Sequence, residues 1–388
     1  MARRSTCSPG TASPPSIRSR KSARGYADRV RILAIESSCD ETAAAIVADG
    51  RRLLSSVVAS QQDLHRETGG VVPEVAARAH LRAFVPVVRH ALADAECGWE
   101  DLDAVAATVG PGLPGALVVG LNGARGIAYA RGLPLIAVDH IEGHVCANWL
   151  TGRGADPSVT GLGAAPTDPG GVPVEPPLPA LAIVISGGHT ELLLMEEHGR
   201  FRRLGGTRDD AAGEAFDKVA RLLGLGYPGG PPLAALADTA REHRLRLPRA
   251  WMPRSDDFSF SGLKTAVLHV TQATHPPPAA EIAWAFQESV ADVISAKAAR
   301  VAARVGVASM LVSGGVAANR RIRERIVQRA PVPVFIPPPA LCTDNAAMIG
   351  AAAFRHVREA RAAEAPIDVR PVAYRSRAAG AGRAPATG

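Results

Sequence analysis

Nothing in this 388-residue chain approaches the ~18 consecutive apolar residues that a membrane-spanning helix needs. Cysteine is sparse: Cys7, Cys39, Cys97, Cys146 and Cys342 are odd in number, widely scattered and include no CxxC pair. That argues against a disulfide framework or a thiolate zinc knuckle and points to a reducing compartment, the cytosol. Aromatic residues make up only 4%. Lysine is scarce beside arginine, alanine and glycine, a bias of coding rather than of chemistry. Three signatures are also missing. There is no GxxxxGK followed by Ser or Thr, so a P-loop is excluded; no GxGxxG follows a strand, so a dinucleotide fold has no support; and no HExxH occurs.

What is present is an ordinary globular composition, with 47% hydrophobic and 21% charged residues, in a chain long enough for two domains. The formal charge of +7 invites a nucleic-acid reading, but its location weakens it. Residues Met1 to Arg31 carry eight basic groups against the single acid Asp28. Removing them from the 44 basic and 37 acidic residues leaves 36 of each, so the body is neutral. Any RNA site there must be a local patch. The tail is rich in Ser, Pro and Arg and too polar to pack. It reads as a disordered extension, or a start placed too far upstream, rather than as a transit peptide.

The chain then says nearly the same thing twice. RILAIE, the turn SSCDET and AAAIVA recur as LAIVI, SGGHT and ELLLM. A helical stretch from Pro73, strand AVAATV, turn GPGLPG, a second helix and strand LPLIAVD recur as a long helix from Glu281, strand SMLVS, turn GGVAAN, a helix and VPVFIP. Apolar runs of strand length alternating with segments of helical period predict mixed α/β layers. Two such units predict a two-lobed protein with a cleft between equivalent faces. The expected divisions are a basic tail (1–31), a first lobe (32–150), a Gly/Pro-rich insertion (151–179), a second lobe (180–342), a C-terminal helix closing the cleft (343–366) and a flexible tail (367–388).

HIEGH carries the sharpest chemistry. His140 and His144, four apart on a helix, can face one metal, and they follow a strand end, where α/β folds place ligands. Asp344, in CTDNAAM, is expected at the corresponding strand end of the second half. Glu142 lies two residues from each histidine and points away, which argues against a zinc protease. The glycine turns Ser186-Gly187-Gly188 and Gly314-Gly315 present successive N–H groups suited to a phosphate. Asp210, Glu214 and Asp217 are expected on one helix face leading to the glycine loop Tyr227–Gly230, where an acid can hold ribose hydroxyls. Phe258 and Phe260 read as core, and Cys39 and Cys342 as packing residues.

ESSCDET, GPGLPGAL, HIEGH, SGGHT, DDAAGEAFDK, YPGGP, FSFSGLKTA, SGGVAAN and TDNAAM, in order from about Arg31 to Phe354, resemble the tRNA N(6)-adenosine threonylcarbamoyltransferase family. The resemblance implies the duplicated actin-like (ASKHA) two-lobed fold, with the ligand between the lobes. It implies one divalent metal per subunit, Fe2+ or Zn2+, held by His140, His144 and Asp344. It also implies a substrate site formed by Val184, Ile185, Ser186, Gly187, Gly188, Asp217, Gly230 and Asn319. The implied donor is threonylcarbamoyl-AMP and the acceptor adenosine 37 of tRNAs reading ANN codons. The implied partners are a non-catalytic paralogue and a P-loop ATPase. Asp40 and Glu41 are the candidates for accepting the amine proton. The rival readings are a small-molecule kinase or carbamoyltransferase of the same fold and a scaffold paralogue, which would lack the three ligands.

Overall fold

A computed structural model describes residues 30–152, 175–252 and 254–371. Of the tails and insertion expected above, residues 1–29, 153–174 and 372–388 lie outside the described residues.

Strands β1 (Arg31–Glu36), β2 (Glu41–Ala48) and β3 (Arg52–Ser60) form an antiparallel meander. Helices α1 (Gln62–Arg66) and α2 (Pro73–Asp94) lead to β4 (Ala104–Gly110), and α3 (Pro114–Arg131) leads to β5 (Leu135–Asp139). After α4 (His140–Cys146), β6 (Thr151–Gly152) joins the sheet edge, giving the order β5-β4-β1-β2-β3-β6. The second half repeats this plan. Its meander is β7 (Ala180–Ile185), β8 (Thr190–Glu197) and β9 (Arg200–Gly206). Four helices follow: α5 (Ala212–Leu222), α6 (Gly230–Ala237), α7 (Ser261–Thr271) and α8 (Ala279–Val305). Then come β10 (Ser309–Ser313), α9 (Arg320–Arg329) and β11 (Val334–Phe335), in a sheet ordered β11-β10-β7-β8-β9. Helices α10 (Pro339–Cys342) and α11 (Ala346–Arg355) come last. In each half the fourth and fifth strands run parallel to the first. The same topology twice over is the two-lobed actin-like fold.

Strand β1 shows why the lobes form layers. Ile32 and Ala34 face one core, with α11, while Leu33 and Ile35 face another, with Val87, Val88 and Ala91 of α2. Both faces are therefore apolar, as central strands covered by helices require, and each large side chain buried contributes about 1.5–3 kcal/mol.

Three expectations change. The C-terminal helix lies across the first sheet, with every residue from Ala346 to Ala353 buried, instead of simply closing the cleft. Its small side chains let it pack flat between the strands and α4. The tail expected to be flexible from 367 is tied down at its start: Arg370 N–H donates to Val109 O (2.5 Å) and Gly112 N–H to Pro371 O (3.1 Å). The strand expected over VPVFIP shrinks to Val334–Phe335, since the flanking prolines Pro333, Pro337, Pro338 and Pro339 have no N–H for a ladder.

Helix α4 is wedged between the halves. Ile141 and Val145 pack against Ala182 and Val184 of β7, and on its other side Gly143 faces α11. A Cβ on Gly143 would lie 2.7 Å from Ile349 Cδ1, so the glycine lets the two helices cross closely without displacing that side chain. Among the described residues no helix is long and apolar enough to cross a membrane.

Candidate active site

A cavity of about 750 Å³ opens between the lobes, lined by the β1–β2 and β7–β8 turns, the start of α4, α5, the start of α6 and the turn before α9. Its volume suits a nucleotide-sized ligand. Asp139 caps α4 by accepting from Ile141 N–H (2.9 Å) and Glu142 N–H (3.2 Å), which fixes the helix start at the end of β5. His140 and His144 then stand one turn apart, with ring centroids 4.6 Å apart and edge to face. Asp344 reaches them from the second lobe: its Oδ1 is 3.6 Å from His140 Nε2 and 3.2 Å from His144 Nε2. One ligand atom from each residue lies within 4.8 Å of the others. Asp344 is not at the end of β11, as expected, but beyond α10, whose short turn carries it back to the cleft.

The surroundings of the triad are unusual for buried polar groups. His144 is fully buried, and among the described residues neither ring nitrogen makes a hydrogen bond, with Nε2 3.2 Å from Asp344 Oδ1. His140 is oriented from behind. Its Nδ1–H donates to Glu36 Oε2 (3.0 Å), which also accepts from Thr108 Oγ1 (2.6 Å), while Glu36 Oε1 accepts from Ser38 N–H. This network turns His140 so that Nε2 is its nitrogen on the Asp344 side. Burial opposes charge on His140, but the Glu36 and Asp344 carboxylates outweigh it and push the imidazole up to about 9. Burial likewise opposes ionisation of Asp344, yet His140 and His144 hold its carboxyl well below the usual range. A negative oxygen set between two imidazoles is an arrangement that a cation or a proton balances.

Glu142 faces away, as its position on the helix predicts, and its Oε2 pairs with His356 Nε2 (2.9 Å). Sequence reading missed Glu36 and Thr108. The available signal was a lone carboxylate ending the apolar strand RILAIE, fully buried here.

On the second-lobe side, Ser186, Gly187, Gly188, Asp217, Gly230 and Asn319 all line the cavity. Val184 and Ile185 do not; their side chains are buried in β7, facing opposite cores. Gly314, with φ +92° and a would-be Cβ 2.4 Å from Ile185 O, lets the turn before α9 pass close under the β7 end. Asn319 caps α9 by accepting from Ile322 N–H (3.1 Å) and donates Nδ2–H to Gln287 Oε1 (2.7 Å). Asp217 Oδ1 accepts from Gly229 N–H (2.7 Å), and burial raises its carboxyl. Asp210 is not on the helix with Glu214 and Asp217: α5 starts at Ala212, and Asp210 turns back to pair with Lys218 (2.6 Å). Asp209 instead accepts from Phe260 N–H (2.8 Å) and the Ser259 and Ser261 hydroxyls.

Asp40 and Glu41 face the cavity from the first lobe. Burial lifts the Glu41 carboxyl to about 7, helped by the charge of Asp40 and opposed by the Ser60 hydroxyl (2.8 Å). Glu41 Oε2 is buried with no partner among the described residues. Burial and Asp40 push the Cys39 thiol far above its ordinary value, and Phe258 and Phe260 are fully buried. His189 also lines the cavity, held neutral near 4 by burial and by the neighbouring imidazoles His140 and His144.

A sequence model of the family described as tRNA N6-adenosine threonylcarbamoyltransferase (TsaD) matches residues 52–165 and 170–351. A protein of that name from Thermomicrobium roseum is 48% identical over 361 residues, 87% of this chain and 95% of the relative. Another from Moorella thermoacetica is 49% identical over 336 residues, 84% of this chain and 92% of the relative. Among solved structures, full-length HypF in its phosphate- and nucleotide-bound form superposes with a TM-score of 0.54 at 12% identity, over 85% of this chain and 46% of HypF. HypF from T. kodakarensis gives 0.53 at 14% identity, over 87% and 50%. At these identities the likeness speaks for the fold alone.

Proposed function

Because the chain belongs to the tRNA N6-adenosine threonylcarbamoyltransferase family, we propose that it transfers the acyl group of threonylcarbamoyl-AMP to the exocyclic amine of adenosine 37 in tRNAs reading ANN codons. The observation that carries this onto the chain is the cavity itself, on which His140 and Asp344 of the His/His/Asp cluster, two glycine turns and a carboxyl near neutrality all open.

The cluster fits a divalent metal. His144 has two buried, unpartnered nitrogens, His140 is turned by Glu36 so that Nε2 is free, and Asp344 supplies an anionic oxygen. We assign His140, His144 and Asp344 to one such ion, with two nitrogens and one oxygen suiting Fe2+ or Zn2+. When bound, it supplies Lewis acidity toward oxygens of the donor.

The protein's own residues do the rest. The backbone from Val184 to Gly188 and at Gly230, with Asp217 and Asn319, takes the adenylate: N–H groups toward phosphate, carboxyl toward ribose. Val184 and Ile185 contribute main chain only, since their side chains belong to the cores. The donor is a mixed anhydride and needs no covalent nucleophile, which agrees with a Cys39 thiol that stays protonated. The amine nitrogen attacks the carbamoyl carbon, the bond from that carbon to the phosphate oxygen breaks, and AMP leaves with the electron pair. The amine proton goes to Glu41, which lines the cavity and carries a carboxyl raised to about 7; Asp40 is the alternative acceptor.

By its family resemblance the reading includes a separate P-loop ATPase and a non-catalytic paralogue, all in the cytoplasm. The outer face of α2 and α3, where Val75, Leu81, Val85, Val118 and Tyr129 stand exposed, supports such a protein partner. A small-molecule kinase would share the fold but has no use for the His/His/Asp cluster.

The test is mass spectrometry of nucleosides from tRNA incubated with the protein, its partners and preformed threonylcarbamoyl-AMP. The adenosine should gain the threonylcarbamoyl mass with no ATP consumed in the transfer. Asp217→Ala should raise KM for the donor more than for tRNA. ATP consumption that tracks a sugar or acetate, with no heavier nucleoside, sinks the reading.

A further inference from the structure

The segment joining α6 to α7 was passed over by the motifs, yet it holds a dense run of positive charge. Between residues 241 and 254 stand Arg241, Arg244, Arg246, Arg249 and Arg254 against the one acid Glu242. The body outside the N-terminal tail is neutral, so this excess is local.

Its described residues form no helix or strand, but the segment is pinned. Leu247 is buried in the second-lobe core, Pro248 O accepts from Ser289 Oγ (2.6 Å), Glu242 N–H donates to Glu281 (2.6 Å), and Arg249 pairs with Asp292 (2.9 Å). What it leaves outside is cationic and aromatic. Arg241 and Arg254 are exposed with no carboxylate partner among the described residues. Arg246 donates to the carbonyls of His243 and Leu245 and lies over the Trp284 ring (5.5 Å to its centroid), and Arg244 meets Glu242 at 3.7 Å with both side chains in solvent. His243 stacks on Trp284 (centroids 4.4 Å apart, 15° between planes), and Trp251 stands 44% exposed beside Arg300.

This surface joins the cleft. Gly230, Pro231 and Ala234 line the cavity at the start of α6, and the segment leaves that helix at its other end, about 12 Å on. There Asp238 pairs with Arg320, itself a cavity residue (3.0 Å).

We propose that Arg241, Arg244, Arg246 and Arg254, with the His243–Trp284 stack and Trp251, form the docking surface for the RNA substrate. The arginines meet its phosphates and the ring faces receive unstacked bases. Exposed guanidinium groups with at most one loose carboxylate contact suit a polyanion, and flat aromatic faces among them suit single-stranded nucleotides. A protein partner would find no apolar expanse here. The proposal rests on the transferase reading, since it places the RNA of that same cleft.

The test is the full chain carrying Arg241→Glu, Arg246→Glu and Arg254→Glu, alone and with its partner subunits, titrated with tRNA by fluorescence anisotropy over a salt series. Affinity should fall roughly tenfold or more at 0.1 M salt, and the log–log salt slope should flatten by about 2–3, one unit or slightly less per lost phosphate contact. KM for tRNA should rise in step, with KM for the donor unmoved. Arg→Gln at the same positions, which cannot repel RNA, should give the same flattening, and an unchanged melting temperature excludes misfolding. Unaltered affinity and slope in variants of a wild type that does modify tRNA overturns the surface while the transferase stands. Loss of partner association with tRNA binding intact also overturns it. A wild type that neither binds nor modifies tRNA removes both readings.

Discussion

Replacing Glu41 by Gln tests the assigned base through two measurements of opposite sign. Glu41 has one buried unpartnered oxygen and a carboxyl lifted to about 7 by burial and by Asp40. Below that value it holds a proton and cannot accept another; above it the carboxylate is free. In the wild type, log kcat/KM should therefore climb with unit slope to about pH 7 and then level, so that at pH 6 about a tenth of the plateau remains. An ordinary carboxylate, titrating near 4.5, would give a flat profile over the same range. Glu41→Gln keeps the acceptor for Ser60 but cannot take a proton, and should lose about 10²–10⁴-fold in kcat/KM together with the pH limb. Stability moves the other way. A raised carboxyl binds its proton more tightly folded than unfolded, so the wild type loses stability as pH rises from 4.5 through 7, and the glutamine has nothing to lose. The full difference is at most about 3 kcal/mol; screening at a partly exposed group reduces it to about 1–2. Differential scanning fluorimetry should show no gain for Glu41→Gln at pH 4.5 and a higher melting temperature at pH 8, by about 2–4 °C per kcal/mol. A flat wild-type profile between pH 5.5 and 8, or a pH limb abolished by Asp40→Asn and kept by Glu41→Gln, would refute the reasoning.

His144→Ala and Asp344→Asn should each purify folded but without stoichiometric metal by plasma mass spectrometry, because these side chains serve the cleft rather than the cores. Glu36→Gln keeps all three ligands but weakens the hold on His140, so metal should be lost to a chelator at about 10–100-fold lower chelator concentration. Gly314→Ala forces a Cβ to 2.4 Å from Ile185 O at a φ that alanine avoids, and should cost about 2 kcal/mol or more, read as a lower melting temperature.

Much of this was legible in the residues, for reasons of local physics. Alternation and helical period are properties of neighbours in sequence, so β1, β2, β7, β8 and most helices could be placed, and the duplication followed from comparing the two runs. The pair His140 and His144 was legible because four residues make one helical turn. The third strands of the meanders went unseen. Strand β9 reads RFRRLGG, a polar edge strand whose pairing comes from β8 rather than from any apolar pattern of its own.

What only the tertiary structure decided is where separate runs meet. Helix α11 reads simply as an apolar helix, and nothing in its sequence says that it crosses back onto the first sheet. Asp344 joins two histidines some two hundred residues earlier only because α10 turns the chain toward α4. Glu36 becomes the support of His140, and Glu41 a carboxyl near neutrality rather than an ordinary acid, through burial and neighbours that folding supplies. Residue types and their spacing determined which chemistry the chain can perform. Burial, and the charges that burial leaves facing one another, determined which side chains are poised to perform it.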